Sequence, residues 1–360
     1  MNPLFELVQF SIGTRDDFPS APDSFEAWKA LLLQVAEHSL VGVTFPAVEK
    51  LSSIGGVPLE IYYPWEVAVK KIARKNQQQK KAIVELHKFF LDNGFRSCIL
   101  KGQSMAVLYP DPSLRQSGDI DIWLEDDRQQ VLVFLNNHFK VINTRYIHSE
   151  MKTSGGLNLE IHYTPSWMNA PLSNRRLQRW FKTCRDDQFS HFDASLGFCV
   201  PTLAFDAVYI LIHIYRHVLE EGVGLRQLLD YYYLLIHLTD EDRKQAMNDL
   251  RHLKLQRFAQ AVMYVMVKGF RMDDKYLVFE PDCHLGSVLM ESILVSGNFG
   301  HSDPRNKNSR KESLIVHGWH KFKRNLRFWA FSSSESLCMP MFATWQYFWR
   351  RKHGYLYKGR

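Results

Sequence analysis

The sequence predicts an α+β protein, in which a small mixed β-sheet is flanked by helical regions before and after it in the chain. Two segments, Ile120–Leu124 and Leu157–Tyr163, alternate apolar and polar residues with the period of two that strands show. On both sides of them, apolar residues recur every three or four positions, which is the period of a helix packed on one face. A small sheet between helical regions favours a two-lobed molecule with a ligand in its central cleft.

The N-terminal region, residues 1–94, is predicted to be largely helical. Residues 24–40 and 65–93 carry helical patterns of apolar residues. The stretch from 42 to 64 is punctuated by Gly and Pro. The polar middle of the second helix, residues 70–81, is interpreted as a solvated face, with contact to an acidic ligand as the alternative.

Beyond these helices the chain is predicted to pass through the sheet and then to become helical. The later elements are a helix at 127–137, strands at 141–147 and 157–163, and helices at 172–182, 202–220, 225–238, 241–252, 255–268 and 284–296. We therefore divide the chain into an N-terminal helical region (1–94), an α/β core (95–200), a helical lobe (201–300) and a basic, aromatic C-terminal segment (301–360).

The composition is that of a folded globular protein, with 46% hydrophobic and 23% charged residues. No apolar run reaches the roughly 18 residues of a membrane-spanning helix, and the N-terminus lacks the basic and apolar stretches of a signal peptide. The five cysteines are widely spaced and include no Cys-x-x-Cys pair, which argues against a zinc ribbon or a disulfide framework. We therefore expect reduced thiols and a cytoplasmic location.

Asp119 and Asp121 are the first candidate site residues. They are two positions apart in a strand pattern, so their side chains share a face while the flanking isoleucines point into a core. Two carboxylates at that distance repel unless a cation lies between them, and a hard ion such as Mg²⁺ or Mn²⁺ takes oxygen ligands of this kind. Glu160, in the second strand pattern, is a third acid. The sequence predicts a divalent metal site, with a merely solvated acidic pair as the alternative.

A turn that suits a phosphate group lies upstream of the acids. The apolar run that ends at Leu100 is followed by Lys101-Gly102-Gln103-Ser104 and by a helical pattern. Glycine at a strand-to-helix turn lets the backbone approach a phosphate, and a helix N-terminus offers free N–H groups and a partial positive charge. The sequence therefore places an anion-binding turn beside the predicted metal site.

The order of these parts resembles the minimal nucleotidyltransferase domain of the DNA polymerase β superfamily. That domain has a strand, a Gly-Ser turn, a short helix, a strand with Asp-x-Asp and a later strand with a third acid. Closest in detail are poorly characterised bacterial nucleotidyltransferases with a Lys-Gly turn and an Arg-x-x-x-Asp-hydrophobic-Asp strand, which Lys101-Gly102 and Arg115 to Asp121 match. Gln103 departs from the pattern, since many members carry Gly or Ser directly after the first glycine.

The resemblance implies a metal-dependent enzyme that transfers a nucleoside monophosphate from a nucleoside triphosphate (NTP) to an unidentified acceptor and releases pyrophosphate. The implied catalytic residues and ligands of Mg²⁺ or Mn²⁺ are Asp119, Asp121 and Glu160. The implied nucleotide-binding residues are Gly102 and Ser104, which would cradle the β- and γ-phosphates, and Lys101 and Arg115, which would offset charge as pyrophosphate leaves. The alternative is a non-catalytic module that keeps the fold and docks on anionic lipid or nucleic acid.

Further candidate residues lie in the helical lobe. Arg226 and Asp230 are similar to a Gly-x-Arg-x-x-x-Asp run of these nucleotidyltransferases, which implies that Arg226 binds a phosphate or the acceptor and that Asp230 orients it. The alternative is an ordinary ion pair between residues four apart on a helix. His213 and His217 have the same spacing, which can bind metal, but without a Glu beside them we favour a place lining the cleft or at the core edge.

Two expectations concern histidine and charge. His162 is expected to point away from the face of Glu160 and to have a supporting or core role. Residues 301–360 hold 13 Lys and Arg against three Asp and Glu, so they carry the positive charge of a chain whose formal net charge is +7. The aromatic residues among these cations favour packing on the body of the protein, followed by contact with an anionic membrane surface and then with nucleic acid. A peripheral location at the inner membrane surface would follow from the second of these.

Overall fold

The computed structural model describes residues 2–17, 19–297, 325–331 and 333–355. The helices are α1 (Pro3–Ser11), α2 (Phe25–Glu37), α3 (Val41–Ser53), α4 (Leu59–Asp92), α5 (Gln103–Ala106), α6 (Arg128–His138), α7 (Pro171–Ser190), α8 (Leu203–Glu220), α9 (Leu225–His237), α10 (Asp240–His252), α11 (Gln256–Phe270), α12 (Cys283–Ser296) and α13 (Ser333–Lys352). The strands are β1 (Ser97–Leu100), β2 (Ile120–Leu124), β3 (Asn143–Thr144), β4 (His148–Lys152), β5 (Asn158–His162), β6 (Phe192–Asp193) and β7 (Phe198–Cys199).

Five strands form one mixed sheet in the order β1-β2-β5-β4-β3, and β6 pairs with β7 in a separate hairpin. β2 runs parallel to β5 and antiparallel to β1, while β4 runs antiparallel to both β3 and β5. The α+β class, the small mixed sheet and the flanking helical regions are therefore confirmed. The central cleft between two lobes and the domain boundaries stay predictions.

The two faces of the sheet pack against different cores. Ile120, Ile122 and Leu124 of β2 pack on one face with apolar residues of α4 and α6. On the other face, Trp123 stacks on Phe205 of α8, with ring centroids 6.2 Å apart and planes 18° from parallel. Because neighbouring residues of a strand alternate between faces, the acidic residue of β2 lies on the side of α8.

The Gly- and Pro-punctuated stretch at 42–64 is helical except at residues 54–58, which connect α3 to α4. Pro46 lies inside α3 and Pro64 lies inside α4. A proline in a helix removes one backbone hydrogen bond. These helices also bury Phe45 and Trp65, and burying a large apolar side chain contributes about 1.5–3 kcal/mol. Tertiary packing thus outweighs the local effect of the prolines.

The strands after α6 differ from the prediction, whereas the helices largely agree with it. The strand predicted at 141–147 is reduced to the two residues of β3, and β4 was not predicted. In β4, His148, Glu150 and Lys152 share one face, so no apolar alternation marks it as a strand. From α8 to α12 each helix begins and ends within two residues of its predicted bounds, but α7 extends to Ser190.

α13 is attached to the body of the protein by one face. The carboxylate of Glu335, which is 2% exposed, accepts the N–H groups of Asn169 and Ala170 at 2.5 and 3.0 Å, just before α7. The hydroxyl of Ser336 donates to the carbonyl oxygen of Asn325. Half of the predicted basic segment, including residues 301–324, lies outside the described residues. No helix of the described chain combines the length and the apolarity needed to cross a membrane.

Candidate active site

The parallel pairing of β2 with β5 brings the acids of the two strands together. Asp121 and Glu160 are partners in the register, so their side chains are neighbours on one face of the sheet. Asp119 lies two positions before Asp121, and its carboxylate accepts a hydrogen bond of 3.0 Å from Asn158 at the start of β5. Asp121 is buried, Glu160 is half-buried and Asp119 is exposed. Asp121 and Glu160 thus lie on neighbouring strands, and Asp119 directly precedes the first of these strands.

The buried carboxylate of Asp121 has two nitrogen neighbours. Nζ of Lys101 and Nε2 of His162 each lie 3.0 Å from its Oδ1. Nε2 of His162 also lies 3.5 Å from Oε2 of Glu160. The prediction that His162 points away from Glu160 is therefore wrong, because residues two apart in a strand share a face.

The neighbours shift the pKa values of this group in different directions. Burial raises the pKa of Glu160, but the hydrogen bond with His162 and the charge of His148 outweigh it and hold the pKa well below its usual value. Partial burial and the charge of Glu160 raise the pKa of Asp119. Burial lowers the pKa of His162, but its hydrogen bonds with carboxylates reverse that effect, so the pKa is raised. Such an acidic group stabilises positive charge placed among its members.

The turn before α5 has the strained backbone that a close approach requires. Lys101 and Gly102 both have positive φ angles, of 53° and 55°. Gly102 combines its φ with a ψ of −112°, a region that suits glycine because other residues clash there. The hydroxyl of Ser104 donates to the carbonyl oxygen of Lys101 at 2.8 Å. This turn directs the Lys101 side chain over Asp121.

Gln103, which departs from the family pattern, is buried against α4. Its Nε2 donates to the side-chain oxygens of Asn76 at 3.1 Å and Gln79 at 3.2 Å. Asn76 in turn donates to the carbonyl oxygens of Ser113 at 2.7 Å and Arg115 at 2.8 Å. α4 therefore supports both the turn and the connector that leads to the acids.

The same helix also supports the residues just before Asp119. Nζ of Lys75 lies 3.1 Å from the carbonyl oxygens of both Ser117 and Gly118, and Nε2 of Gln79 donates to Gly118 at 2.8 Å. The interpretation of residues 70–81 as a solvated face is thus wrong in part, since the side chains of Asn76 and Gln79 are buried and donate hydrogen bonds. Sequence reasoning missed these supporting residues.

Asp230 pairs with Arg115 and not with Arg226. Nε and one terminal nitrogen of Arg115 bind the two carboxylate oxygens of Asp230 at 2.7 Å each, and the hydroxyl of Tyr109 donates to the same carboxylate at 2.6 Å. Arg226 donates instead to the carbonyl oxygen of Gln116 at 2.9 Å. The buried pair ties the connector before the acids to α9, and the ion pair between residues four apart on that helix is not what forms.

His213 and His217 of α8 lie close to the acids and to each other. Their ring centroids are 4.4 Å apart. Burial, followed by the charge of Lys101, lowers both pKa values, that of His217 to about 3. Both imidazoles are therefore neutral at neutral pH.

Another histidine pair offers donors suited to a metal ion. One ligand atom from each of His148, Glu160 and His162 lies within 4.8 Å of the others. This set shares only Glu160 with the three predicted acids. Within the described chain, Nδ1 of His148 is buried and has no hydrogen-bond partner. A cation would fit this group, because such a nitrogen lacks the partner that buried polar atoms normally have.

Comparison with protein families gives one match over most of the chain. A family model described as "Uncharacterised nucleotidyltransferase" matches residues 24–271. The matched range contains the whole five-stranded sheet, the three acids and α9, and it ends before α12. A search of curated protein sequences found no match.

Two solved structures are distantly similar. One is an antigenic nucleotidyltransferase-like protein from Paracoccidioides brasiliensis, with 14% sequence identity, a TM-score of 0.35 and coverage of 57% of this chain and 94% of that one. The other is the Thermotoga maritima CCA-adding enzyme complexed with tRNA, with 10% identity, a TM-score of 0.21 and coverage of 75% of this chain and 80% of that one. At these scores neither likeness carries a functional argument.

Proposed function

Since this chain belongs to the family of uncharacterised nucleotidyltransferases, we propose that it transfers a nucleoside monophosphate from an NTP to an acceptor hydroxyl, phosphate or amine. The observation that carries the proposal is the pairing of Asp121 with Glu160 in adjacent parallel strands, with Asp119 two residues upstream. This arrangement would give a divalent ion an acidic face of the sheet, and the ion would in turn hold the triphosphate. We further propose a cytoplasmic, bacterial setting for the enzyme.

The three acids suit Mg²⁺ or Mn²⁺, which bind carboxylate oxygens readily. Asp119 and Asp121 would hold the ion that accompanies the triphosphate, and Glu160 would join them near the attacking atom. When bound, such an ion offsets phosphate charge and lowers the pKa of the attacking group. The Lys101 ammonium, 3.0 Å from Asp121, supports this fit because the carboxylate already holds a cation there.

The turn and two further cations are proposed to bind the triphosphate. Gly102 would let the backbone approach, and the hydroxyl of Ser104 would turn from the Lys101 carbonyl oxygen to a phosphate oxygen. Arg226 borders the entry to β2, since its terminal nitrogen lies 3.8 Å from where a Cβ on Gly118 would be. Nζ of Lys75 donates a hydrogen bond to the backbone carbonyl oxygen of Gly118 in the same segment. Lys101, Arg226 and Lys75 would together offset charge on the departing pyrophosphate.

Arg115 and Asp230 are proposed to position the site and not to touch the nucleotide. Arg115 is 4% exposed and uses two nitrogens on Asp230. A planar guanidinium bound in this two-point manner fixes the geometry of both partners. The pair would therefore hold the connector, and with it Asp119, at a constant distance from α9.

The proposed reaction is an in-line displacement at the α-phosphorus. The acceptor oxygen or nitrogen forms a bond to that phosphorus while the bond to the bridging oxygen of pyrophosphate breaks. The acceptor proton passes to a carboxylate, Asp121 or Glu160, and pyrophosphate leaves with the bonding electron pair.

Incubation of the full chain with NTPs labelled at the α-phosphorus tests this proposal. Each of the four nucleotides is supplied with Mg²⁺ or Mn²⁺ and with hydroxyl, phosphate, amine, RNA and protein acceptors. We expect the α-label on an acceptor, an equal amount of pyrophosphate and a γ-label that appears only in pyrophosphate. Release of orthophosphate without a labelled acceptor would instead identify a hydrolase.

The alternative is a binding module without catalysis. It predicts metal-dependent NTP binding, read as a thermal shift, with no pyrophosphate under any acceptor. The three intact acids and the Lys101 contact with Asp121 favour the enzyme, because a binding module has no need for a base beside the metal site.

We also propose that α13 places the protein at an anionic membrane surface. Its outward face carries three large apolar residues at helical spacing: Leu337 and Met341, each 60% exposed, and Phe348, 59% exposed. The last turn is basic, with Arg350, Arg351 and Lys352. An apolar helix face next to cations is the composition that binds anionic lipid headgroups, which favours a peripheral location at the inner membrane surface.

A further inference from the structure

Two imidazoles flank Glu160 in the ladder between β4 and β5. His148 and His162 are register partners there, and Glu150 is the partner of Glu160. Because partners in an antiparallel ladder share a face, all four side chains lie on the same side of the sheet. Two nitrogens and one oxygen, from His148, His162 and Glu160, converge within 4.8 Å of one another.

The environment of His148 directs one of its nitrogens towards Glu160. Its Nε2 lies 3.4 Å from Oε1 of Glu150, and Nε of Arg145 lies 2.7 Å from the same oxygen. The Arg145 guanidinium and the His148 imidazole thus both lie against one oxygen of the Glu150 carboxylate. In the neutral form of His148, the hydrogen bond with Glu150 requires the proton on Nε2, which leaves a lone pair on Nδ1. Its Nδ1 lone pair faces Oε2 of Glu160, 3.5 Å away.

This lone pair has no partner within the described chain, although Nδ1 of His148 is buried. A lone pair that faces a carboxylate oxygen repels it unless a proton or a cation lies between them. A proton would satisfy His148 and Glu160 only. A metal ion would also use Nε2 of His162, which lies 3.5 Å from the same oxygen of Glu160 and would exchange its hydrogen bond with Asp121 for the ion. An outer carboxylate that fixes an imidazole, as Glu150 does here, commonly stands behind metal-bound histidines.

We propose that His148, Glu160 and His162 bind a first-row transition cation, Zn²⁺ or Mn²⁺, in preference to Mg²⁺. Imidazole nitrogen suits such ions, whereas Mg²⁺ binds oxygen ligands almost exclusively. Two histidines and one glutamate are also the protein ligands of several catalytic zinc sites, which keep a position open. The inference rests on the proposed function in one respect, since Glu160 is the third acid of that site, and it assigns two further ligands to the ion held there.

Pulsed electron paramagnetic resonance of the Mn²⁺-loaded full chain tests the assignment directly. The protein is stripped with a chelator, loaded with Mn²⁺ and examined for spin-echo modulation by ¹⁴N. We expect modulation by imidazole nitrogen in the wild type and weaker modulation in His148→Gln and His162→Gln. His252 is exposed at the end of α10, so His252→Gln should show the same modulation as the wild type. The affinity for Zn²⁺, measured by competition with a chelating dye, should fall about tenfold or more in the first two variants.

The wild-type spectrum decides the matter even where a variant fails to fold. Mn²⁺-loaded wild type without ¹⁴N modulation, or Zn²⁺ that binds no more tightly than Mg²⁺, overturns the assignment. If nucleotide transfer is then still observed, the proposed function stands with oxygen ligands only. If the modulation is present and no NTP is used, the metal assignment stands and the transferase proposal falls.

Discussion

At the scale of single residues, Asp121 combines a buried carboxylate with a proposed catalytic role. Asp121→Asn keeps the size of the side chain but removes the charge next to Lys101 and His162. We expect nucleotide transfer to fall at least about 100-fold, the size of effect seen when one preorganised electrostatic contact is lost. Stability should fall by about 1–2 kcal/mol, since hydrogen bonds to a charged group are lost or weakened. Pyrophosphate release and urea unfolding measure the two effects.

Asp92→Asn is the matched control for that variant. Asp92 ends α4, is exposed, and pairs with Lys88 at 3.3 Å, an exposed pair of the kind that contributes little. We expect its activity and stability to equal those of the wild type. Equal activity in Asp121→Asn would remove Asp121 from the proposed mechanism.

A second residue-scale prediction concerns pH and His38. This side chain is buried, accepts the N–H of Leu225 through Nδ1 at 3.3 Å, and has its pKa lowered by burial to about 4. Because the folded pKa lies below the unfolded value of about 6.5, its contribution is complete above pH 6.5 and is lost as the pH falls towards 4. At pH 5 the loss relative to pH 7 should be about 2 kcal/mol.

His38→Gln should remove that part of the pH dependence. The difference in unfolding free energy between the wild type and the variant is expected to shrink by about 2 kcal/mol from pH 7 to pH 5, as measured by urea unfolding at both values. His252→Gln, at an exposed position, should leave the profile of the wild type unchanged. A constant difference between wild type and His38→Gln would show that His38 does not titrate in this range.

At the scale of elements, α4 links the helical regions to the site. Asn76→Ala is expected to lower the unfolding free energy by about 2–4 kcal/mol. The buried hydrogen bond to the carbonyl oxygen of Arg115 is lost at a cost of about 1–3 kcal/mol, and the part-buried one to Ser113 adds about 1 kcal/mol. Gln77→Ala, the exposed neighbour on the same helix, should change it by less than about 0.5 kcal/mol. Similar unfolding free energies for the two variants would mean that α4 does not support the connector.

Helix α4 also shows what can and cannot be predicted from the sequence. Val69, Ile72, Ile83 and Phe90 mark its buried face, and Asn76 continues the same spacing. From the sequence alone, polar residues on that face are interpreted as solvated. The sequence does not reveal that backbone carbonyl oxygens lie within their reach. Elements with strong periodicity, such as the helices from α8 to α12, were predicted within two residues. Elements defined by partners, such as β4, were not.

The candidate site shows the same division. Asp119, Asp121 and Glu160 could be selected because acids among apolar strand residues are conspicuous in the sequence. His148 could not, since its strand has no apolar alternation and its place beside Glu160 depends on the cross-strand register. The partner of Asp230 was also missed, because Arg115 is 115 positions away and only the packing of α9 against the connector brings the two together.

At the scale of the whole molecule, the family match and the outward apolar face occupy different parts of the chain. The match ends at residue 271, whereas α13 begins at Ser333. Glu335 fixes α13 through buried hydrogen bonds to the start of α7, so the apolar face is presented by a helix anchored to the body. Chemistry and location would thus be assigned to separate elements, and a change on the outer face of α13 should leave the acids untouched.

Vesicle binding tests that separation. The double variant Leu337→Gln with Phe348→Gln removes two exposed apolar side chains, which would each contribute about 1.5–3 kcal/mol if fully buried in lipid. We expect the wild type to sediment with phosphatidylcholine vesicles that contain phosphatidylglycerol, and to bind less at high salt and without the anionic lipid.

The double variant should bind these vesicles at least about tenfold more weakly than the wild type. It should keep the nucleotide-transfer rate of the wild type in solution. Ile54→Gln with Leu91→Gln is the matched control and should bind as the wild type does, because it changes two exposed apolar side chains outside α13, directly after α3 and in α4. Wild type that remains in the supernatant at low salt would contradict the membrane proposal. A concentration-dependent dimer that the double variant abolishes would then assign this face to a second copy of the chain.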